Sequence, residues 1–139
     1  MAVTMDVGAL QGFLAQAFPQ VAEDFVVEAV TADTLSVALR VDDRHLRPGG
    51  TVSGPTMFAL ADVAMYLMVL ARIGPQALAV TTSCHIDFMR KPAAGVGMRA
   101  ECRLLKLGRA LAVGDVLLYS EGEAAPVARA ALTYSIPPG

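Results

Sequence analysis

A single charged side chain, Asp62, interrupts a nearly continuous apolar run at residues 54–71. No other charged residue occurs between Arg47 and Arg72. Because a carboxylate that loses its hydration without a compensating partner is unstable in its charged form, such an acid is usually paired, protonated or chemically active. Asp62 is therefore the leading candidate for a chemical role, and capping a backbone N–H or pairing with a buried arginine is its structural alternative.

The residues that precede this run are suited to beginning a helix. Pro55 fits the first turn because its missing N–H would have no helical acceptor there, and Ser53 or Gly54 can cap the helix. The first turn of a helix also leaves backbone N–H groups unpaired, and these donors can share a small site with an acid. The sequence thus combines an acid and free donors on one predicted helix.

Length and composition indicate a single domain over residues 1–139 that uses more apolar surface than one subunit needs. Hydrophobic residues make up 55% of the chain and charged residues 17%, and the mean hydropathy is +0.52. A chain of this size has one core to fill, so the apolar excess predicts contacts between subunits.

Charge and termini exclude several classes of function. The net charge of −2 and the pI near 5.6 show no basic excess, so we expect no nucleic-acid partner. Residues 1–22 carry one acid, Asp6, and no Lys or Arg, which does not support a secretory signal, and we expect a cytoplasmic protein. Asp62 at the centre of the apolar run would cost roughly 2.5–3.5 kcal/mol on insertion scales, so we expect no membrane span.

The alternation of apolar and polar residues predicts an α+β fold. A short amphipathic helix follows Asp6, and the long apolar helix needs cover around most of its circumference, which a strongly curved sheet would provide. A turn at Ala32-Asp33 predicts a hairpin, and Gly114 inside a strand predicts a bulge. We expect the charges of the loop at residues 43–50 to face solvent or a ligand. The predicted strands are residues 25–30, 35–41, 80–89, 98–104, 111–119 and 127–136.

Four segments in this order resemble the hotdog-fold acyl-CoA thioesterases, most closely the phenylacetate-pathway (PaaI-like) branch. The resemblance covers the chain from Arg47 onward, and it depends on the order and spacing of the segments rather than on any one of them. They are Gly50-Thr51-Val52-Ser53-Gly54-Pro55, Leu60-Ala61-Asp62-Val63-Ala64, Ile86-Asp87-Phe88-Met89-Arg90-Lys91-Pro92 and Lys106-Leu107-Gly108-Arg109.

This chain departs from the family pattern at the start of the helix. The family usually has His-Gly-Gly there, with an Asp or Glu nine residues after the His and an Asn several residues upstream. Here Ser53-Gly54-Pro55 replaces that tripeptide, and Arg47 stands near the Asn position. The acid and the first Gly are retained as Asp62 and Gly54.

The resemblance implies a hotdog fold, a curved antiparallel sheet wrapped around one long helix, and a homodimer joined edge to edge or a homotetramer, with active sites at the interface. It implies that the Gly54 N–H stabilises an oxyanion on the thioester carbonyl, while Asp62 from the partner side acts on water as general base or attacks the carbonyl directly. The implied substrate is an acyl-CoA, and the reaction needs no cofactor.

Other candidate residues have weaker support. Ser53 either bonds the substrate or only caps the helix, and Thr81 falls where some relatives carry a Ser that orients the hydrolytic water. Arg90, Lys91 and Arg109 are candidates for the phosphates of coenzyme A, with solvated strand-end charges as the alternative.

The histidines and cysteines indicate neither a metal site nor a catalytic triad. His85 directly follows Cys84, and strand neighbours point to opposite faces, so the two cannot act together. We expect His85 at a surface or interface, Cys84 and Cys102 in the core, and no metal, because the chain has no Cys/His cluster of metal spacing.

Two other functions fit the same fold. One is a hotdog protein that binds an acyl-CoA without turning it over, which the loss of the family His favours. The other is a hotdog hydratase or dehydratase, which ranks lower because those enzymes normally pair a His with the acid.

Overall fold

The structure is a computed structural model that describes residues 3–138. These residues form two α-helices, six β-strands and two short 3-10 turns, at Ala22–Asp24 and Asp43–His45. In chain order the helices and strands are α1 (Val7–Ala17), β1 (Phe25–Val30), β2 (Thr34–Leu39), α2 (Gly54–Ile73), β3 (Val80–Phe88), β4 (Met98–Leu107), β5 (Leu111–Ser120) and β6 (Ala128–Ser135).

All six strands join one antiparallel sheet in the order β1-β2-β4-β5-β6-β3. The predicted β1–β2 hairpin is present, but β3 does not pair with β4, its successor in the chain. It lies at the far edge beside β6, the last strand. The arrangement is the curved sheet around a long helix that the resemblance implied, and the α+β prediction is confirmed.

Helix α2 begins and ends where the sequence predicts. The Ser53 hydroxyl oxygen caps it, and Gly74 ends it with a positive φ of 92°, a conformation that glycine adopts without strain. By length and composition this helix could cross a membrane, but 61% of its apolar stretch is buried inside the fold. Its fully buried residues are Leu60, Ala61, Ala64, Met65, Leu67, Met68, Val69, Leu70 and Ala71.

A bulge lies at Gly114, as predicted, but its extra residue is on the neighbouring strand. The register shifts between Leu104 and Lys106, so the extra residue lies on β4, opposite Gly114. The glycine serves a different purpose, because a Cβ at this position would lie 2.5 Å from the Met65 sulfur and 3.0 Å from the Arg103 carbonyl oxygen. Gly114 therefore lets α2 pack closely against the sheet.

The two edges of the sheet differ in whether their outward backbone groups have hydrogen-bond partners. At the β1 edge, the Gln11 side-chain amide donates to the Phe25 carbonyl at 2.9 Å and accepts from the Val27 N–H at 2.8 Å, as a neighbouring strand would. At the β3 edge, no other segment within residues 3–138 pairs with the outer side of the strand. Exposed apolar side chains lie along this open edge, namely Leu78, Val80, Phe88 and Met89.

Candidate active site

Asp62 lies on the face of α2 that meets β3 and β6, where two hydroxyl groups hold one of its oxygens. The Thr81 hydroxyl donates to Oδ1 at 2.5 Å, and the Tyr134 hydroxyl lies 2.8 Å from Oδ1 and 3.1 Å from the Asp62 carbonyl oxygen. Oδ2 has no hydrogen-bond partner within residues 3–138. The half-buried carboxylate is thus fixed through one oxygen and free at the other.

Tyr134 remains a hydrogen-bond donor at ordinary pH. Burial and then the nearby charge of Asp62 raise the pKa of Tyr134 far above its usual value. Its ring packs beside that of Tyr66, with centroids 6.2 Å apart. Sequence analysis did not select Tyr134, because only the pairing of β3 with β6 places it opposite Thr81.

The start of α2 has one backbone N–H without an acceptor among the described residues. The Ser53 hydroxyl accepts from the Thr56 N–H at 3.3 Å and donates to the Thr56 hydroxyl at 2.9 Å, so it is used within the helix cap. The Gly54 N–H, by contrast, has no acceptor among the described residues. The Phe88 ring lies next to this glycine, 3.5 Å from where a Cβ would be.

Within one subunit, Gly54 and Asp62 are too far apart to serve the same carbonyl group. They are separated by eight positions of α2, which corresponds to about 12 Å along the helix axis. An N–H donor and a base each need to come within about 3 Å of the reacting atoms. A site that uses both groups therefore needs a second copy of the chain.

The candidate phosphate-binding residues do not form one cluster. Arg90 and Lys91 follow β3, and Arg109 lies in the β4–β5 turn at the opposite end of the sheet. All three are exposed, and Arg90 donates to the Pro126 carbonyl at 2.9 Å. One subunit therefore offers two separate positive regions.

The loop before α2 does not direct all of its charges outward, as sequence analysis expected. His45 is buried, and its Nε2 lies 3.4 Å from Asp24 Oδ2. The Arg44 guanidinium forms an ion pair with the same carboxylate. Asp24 precedes this loop by about twenty positions, so local sequence gave no sign of the contact.

His85 and Cys102 lie where sequence analysis expected them, whereas Cys84 is only half-buried at the border of the core. The exposed His85 faces outward and bonds Asp87 at 3.1 Å, whereas the adjacent Cys84 is half-buried on the other face of β3. Burial and the charge of Asp62 raise the pKa of the Cys84 thiol, and burial raises the pKa of Cys102 to about 12. No group of His, Cys, Asp and Glu suited to a metal ion occurs in the described part of the chain.

Two cavities flank the sheet and helix. The larger, of about 800 Å³, lies on the outer face of the sheet among charged side chains such as Arg103 and Asp115. The smaller, of about 290 Å³, lies between α2 and residues 18–25 and is bordered by Asp62. Of these two cavities in the described residues, the smaller one adjoins the candidate acid.

Comparison with known proteins agrees with this geometry. The family model of the Thioesterase superfamily matches residues 49–127. A Pseudomonas aeruginosa protein named as an esterase, PA0474, is 37% identical over 87 residues, which cover 62% of this chain and 64% of that protein. The chain thus spans less than two thirds of that relative's length.

Solved structures show the same similarity over nearly the whole chain. A protein of Silicibacter sp. TM1040 named as a thioesterase is 55% identical, with a TM-score of 0.93 and coverage of 99% of this chain and 96% of that one. A mutant of the phenylacetic acid degradation protein PaaI from Thermus thermophilus is 31% identical, with a TM-score of 0.73 and coverage of 86% and 99%. The resemblance found in the sequence is confirmed.

Proposed function

Because this chain belongs to the Thioesterase superfamily, we propose that it is a cytoplasmic acyl-CoA thioesterase, which hydrolyses a thioester to the free acid and coenzyme A. The observation that carries the proposal is the state of Asp62, which occupies the position of the family's acid. Thr81 and Tyr134 hold Oδ1, and Oδ2 is left free to react.

The open edge of β3 supports a homodimer with two complete sites. Gly54 lies near Phe88 at one end of β3, and Asp62 lies near Thr81 at the other end. Two copies joined antiparallel through β3 would bring opposite ends of the strand together. Asp62 of one subunit would then face the partner subunit's Gly54, which removes the separation found within one chain.

In this site the thioester carbonyl accepts a hydrogen bond from the Gly54 N–H at the positive end of α2, which stabilises the developing oxyanion. Oδ2 of Asp62 either takes a proton from the water that attacks the carbonyl carbon or attacks that carbon itself. On the first route the carbon–sulfur bond then breaks, and the proton held by Asp62 passes to the departing thiolate of coenzyme A. On the second route the same bond breakage leaves a mixed anhydride between the acyl group and Asp62, which water hydrolyses to the free acid, and a proton of that water goes to the thiolate. A carboxylate and a backbone donor supply this chemistry, so the proposed reaction uses no cofactor.

The same assembly supports a site for the phosphates of coenzyme A. Antiparallel pairing through β3 would move the partner subunit's Arg109 to the end of the sheet that carries Arg90 and Lys91. Exposed Arg and Lys side chains suit phosphate groups, which they bind by charge and by hydrogen bonds.

Thiol release from a panel of short, medium, long and aryl acyl-CoAs tests the function directly. We expect hydrolysis of at least one member by the purified protein, and a dimer or tetramer by light scattering. Folded protein that hydrolyses no member of the panel would contradict the proposal.

A second function, binding an acyl-CoA without hydrolysis, is favoured by one observation. Ser53 replaces the family His, and its hydroxyl is already used by Thr56, so this position offers the substrate no free group. Equilibrium binding of the same panel separates the two functions, because affinity without thiol release would support the binding protein.

Tyr134→Phe tests whether Tyr134 positions the acid. We expect kcat to fall about tenfold with little change in KM, because Oδ1 loses one of its two donors while the substrate contacts remain. The free energy of unfolding should fall by about 1 kcal/mol, since a buried hydrogen bond is lost. Steady-state kinetics and denaturant unfolding measure both effects.

Tyr119→Phe is the matched control, because Tyr119 lies on the outer face of the sheet, beside the Arg99 guanidinium and away from Asp62. It should leave kcat unchanged. An unchanged kcat in Tyr134→Phe as well would mean that Tyr134 only fills the core.

A further inference from the structure

The smaller cavity has an apolar wall and two polar ends. Asp62 borders one part, and Asp24, His45 and Thr56 border another, where Ser53 bonds both the His45 carbonyl and Thr56. The side chains between them are apolar, namely Phe18, Val21, Phe25, Leu39, Pro55, Ala59 and Val63. An apolar pocket that begins at the reacting acid is suited to the acyl part of a substrate.

The volume of this open pocket matches an acyl group of medium length. A water molecule takes about 30 Å³ in the liquid, so about 290 Å³ holds roughly ten groups of that size. A straight acyl chain of eight carbons has about this many non-hydrogen atoms.

The far polar end carries one free acceptor position, which lies on Asp24. The His45 Nδ1 accepts from the Asp42 N–H at 2.9 Å, so the ring proton is on Nε2, and this proton is directed at Asp24 Oδ2. Arg44 also donates to both oxygens of Asp24. Three of the roughly four acceptor positions of the carboxylate are therefore filled, and one at Oδ1 is left.

Asp24 is charged at neutral pH in spite of its burial. Burial alone would raise the pKa of Asp24, but hydrogen bonds from Arg44 and His45 hold that pKa below its usual value. The remaining acceptor position is thus on an anion. It favours a hydroxyl group in the pocket and opposes a second carboxylate.

We propose that this pocket selects a medium-length acyl group that carries a hydroxyl at its far end, and that Asp24 is the specificity-determining residue. The inference rests on the proposed thioesterase function and adds the class of acyl group. It distinguishes three thioesters of equal chain length, with a methyl, a hydroxymethyl or a carboxylate end.

The test compares octanoyl-CoA, 8-hydroxyoctanoyl-CoA and the CoA thioester of octanedioic acid. We expect kcat/KM to be about tenfold higher for the hydroxylated substrate than for octanoyl-CoA, because a hydrogen bond to a charged group is the stronger kind. The thioester with the carboxylate end should be about tenfold poorer than octanoyl-CoA. In Asp24→Asn both ratios of kcat/KM should move toward one.

Ala59→Leu provides a second test that does not disturb the ion pair of Asp24. The larger side chain should fill the cavity and reduce kcat/KM for the three eight-carbon substrates about tenfold relative to acetyl-CoA. Ala15→Leu, at an exposed position of α1 outside the cavity, is the matched control and should leave this ratio unchanged. If Asp24→Asn does not fold, Ala59→Leu and the wild-type preference decide the question.

Failure of this inference is distinguishable from failure of the proposed function. Hydrolysis without preference for the hydroxylated substrate would overturn the inference and leave the thioesterase intact. So would a ratio of kcat/KM for the eight-carbon substrates to kcat/KM for acetyl-CoA that is unchanged in Ala59→Leu. If no thioester is hydrolysed, dissociation constants of the same three compounds replace kcat/KM. Tighter binding of the hydroxylated compound would then support the pocket without the enzyme, and equal binding would overturn both.

Discussion

Asp62→Asn is expected to reduce kcat by about a thousandfold and to leave the protein folded. The change removes the base or nucleophile, whose contribution to such reactions is typically of this order. Asn has nearly the same shape, and its amide oxygen can still accept from Thr81 and Tyr134 in the place of Oδ1. Thiol release at saturating substrate measures the effect, and circular dichroism with thermal unfolding checks the fold.

Asp115→Asn is the matched control for this variant. Asp115 is an exposed acid on the outer face of the sheet, so the same change of charge occurs away from the site. It should retain wild-type turnover. If Asp62→Asn also turned over at the wild-type rate, Asp62 would have only a structural role and the proposed mechanism would be wrong.

Gly54→Pro is expected to lower kcat by about a hundredfold or more, because it deletes the N–H that we place on the oxyanion. One backbone constraint opposes this change, because a proline at position 54 would precede Pro55 within the helix, so circular dichroism with thermal unfolding must accompany the kinetics. Position 54 is the first residue of α2, where proline is favoured, and Ser53 before it has φ −75° and ψ 156°, a conformation suited to the residue that precedes a proline. Near-normal KM with a reduced kcat would indicate loss of an interaction made in the transition state.

Gly54→Ala separates the loss of the N–H from the addition of atoms. It keeps the donor and adds only a Cβ, at an ordinary van der Waals distance of 3.5 Å from the Phe88 ring. We expect kcat within about fivefold of wild type. Equal losses in the two variants would show that crowding, rather than the donor, explains the effect at this position.

The sequence predicted the elements well because each carries a local periodic signal. Helix α2 has a cap at Ser53, a proline at Pro55 and a stop at Gly74, and the strands alternate with period two. The same local signals identified Asp62 and Gly54 as candidate site residues. These predictions depend on neighbours within a few positions of the chain.

What the sequence did not reveal depends on contacts between distant segments. Tyr134 reaches Asp62 only because β6 pairs with β3, and Asp24 meets His45 only after β1 and the loop have been placed. Gly114 was predicted to mark a bulge, but a glycine in a strand has several explanations, and only the packing of Met65 shows why this residue is a glycine. Long-range register is set by the whole core and has no short sequence signature.

The side-chain amide of Gln11 has a consequence for the size of the assembly. A sheet with two open edges could add copies at both, and repeated addition would build an unbounded filament. In the described chain the amide occupies the backbone groups of Phe25 and Val27 and blocks strand addition at that part of β1, whereas no segment covers the outer side of β3. If two copies join through β3, the edges left at the ends of the shared sheet are the two β1 strands. Gln11 blocks part of each, which favours a closed dimer over a fibre.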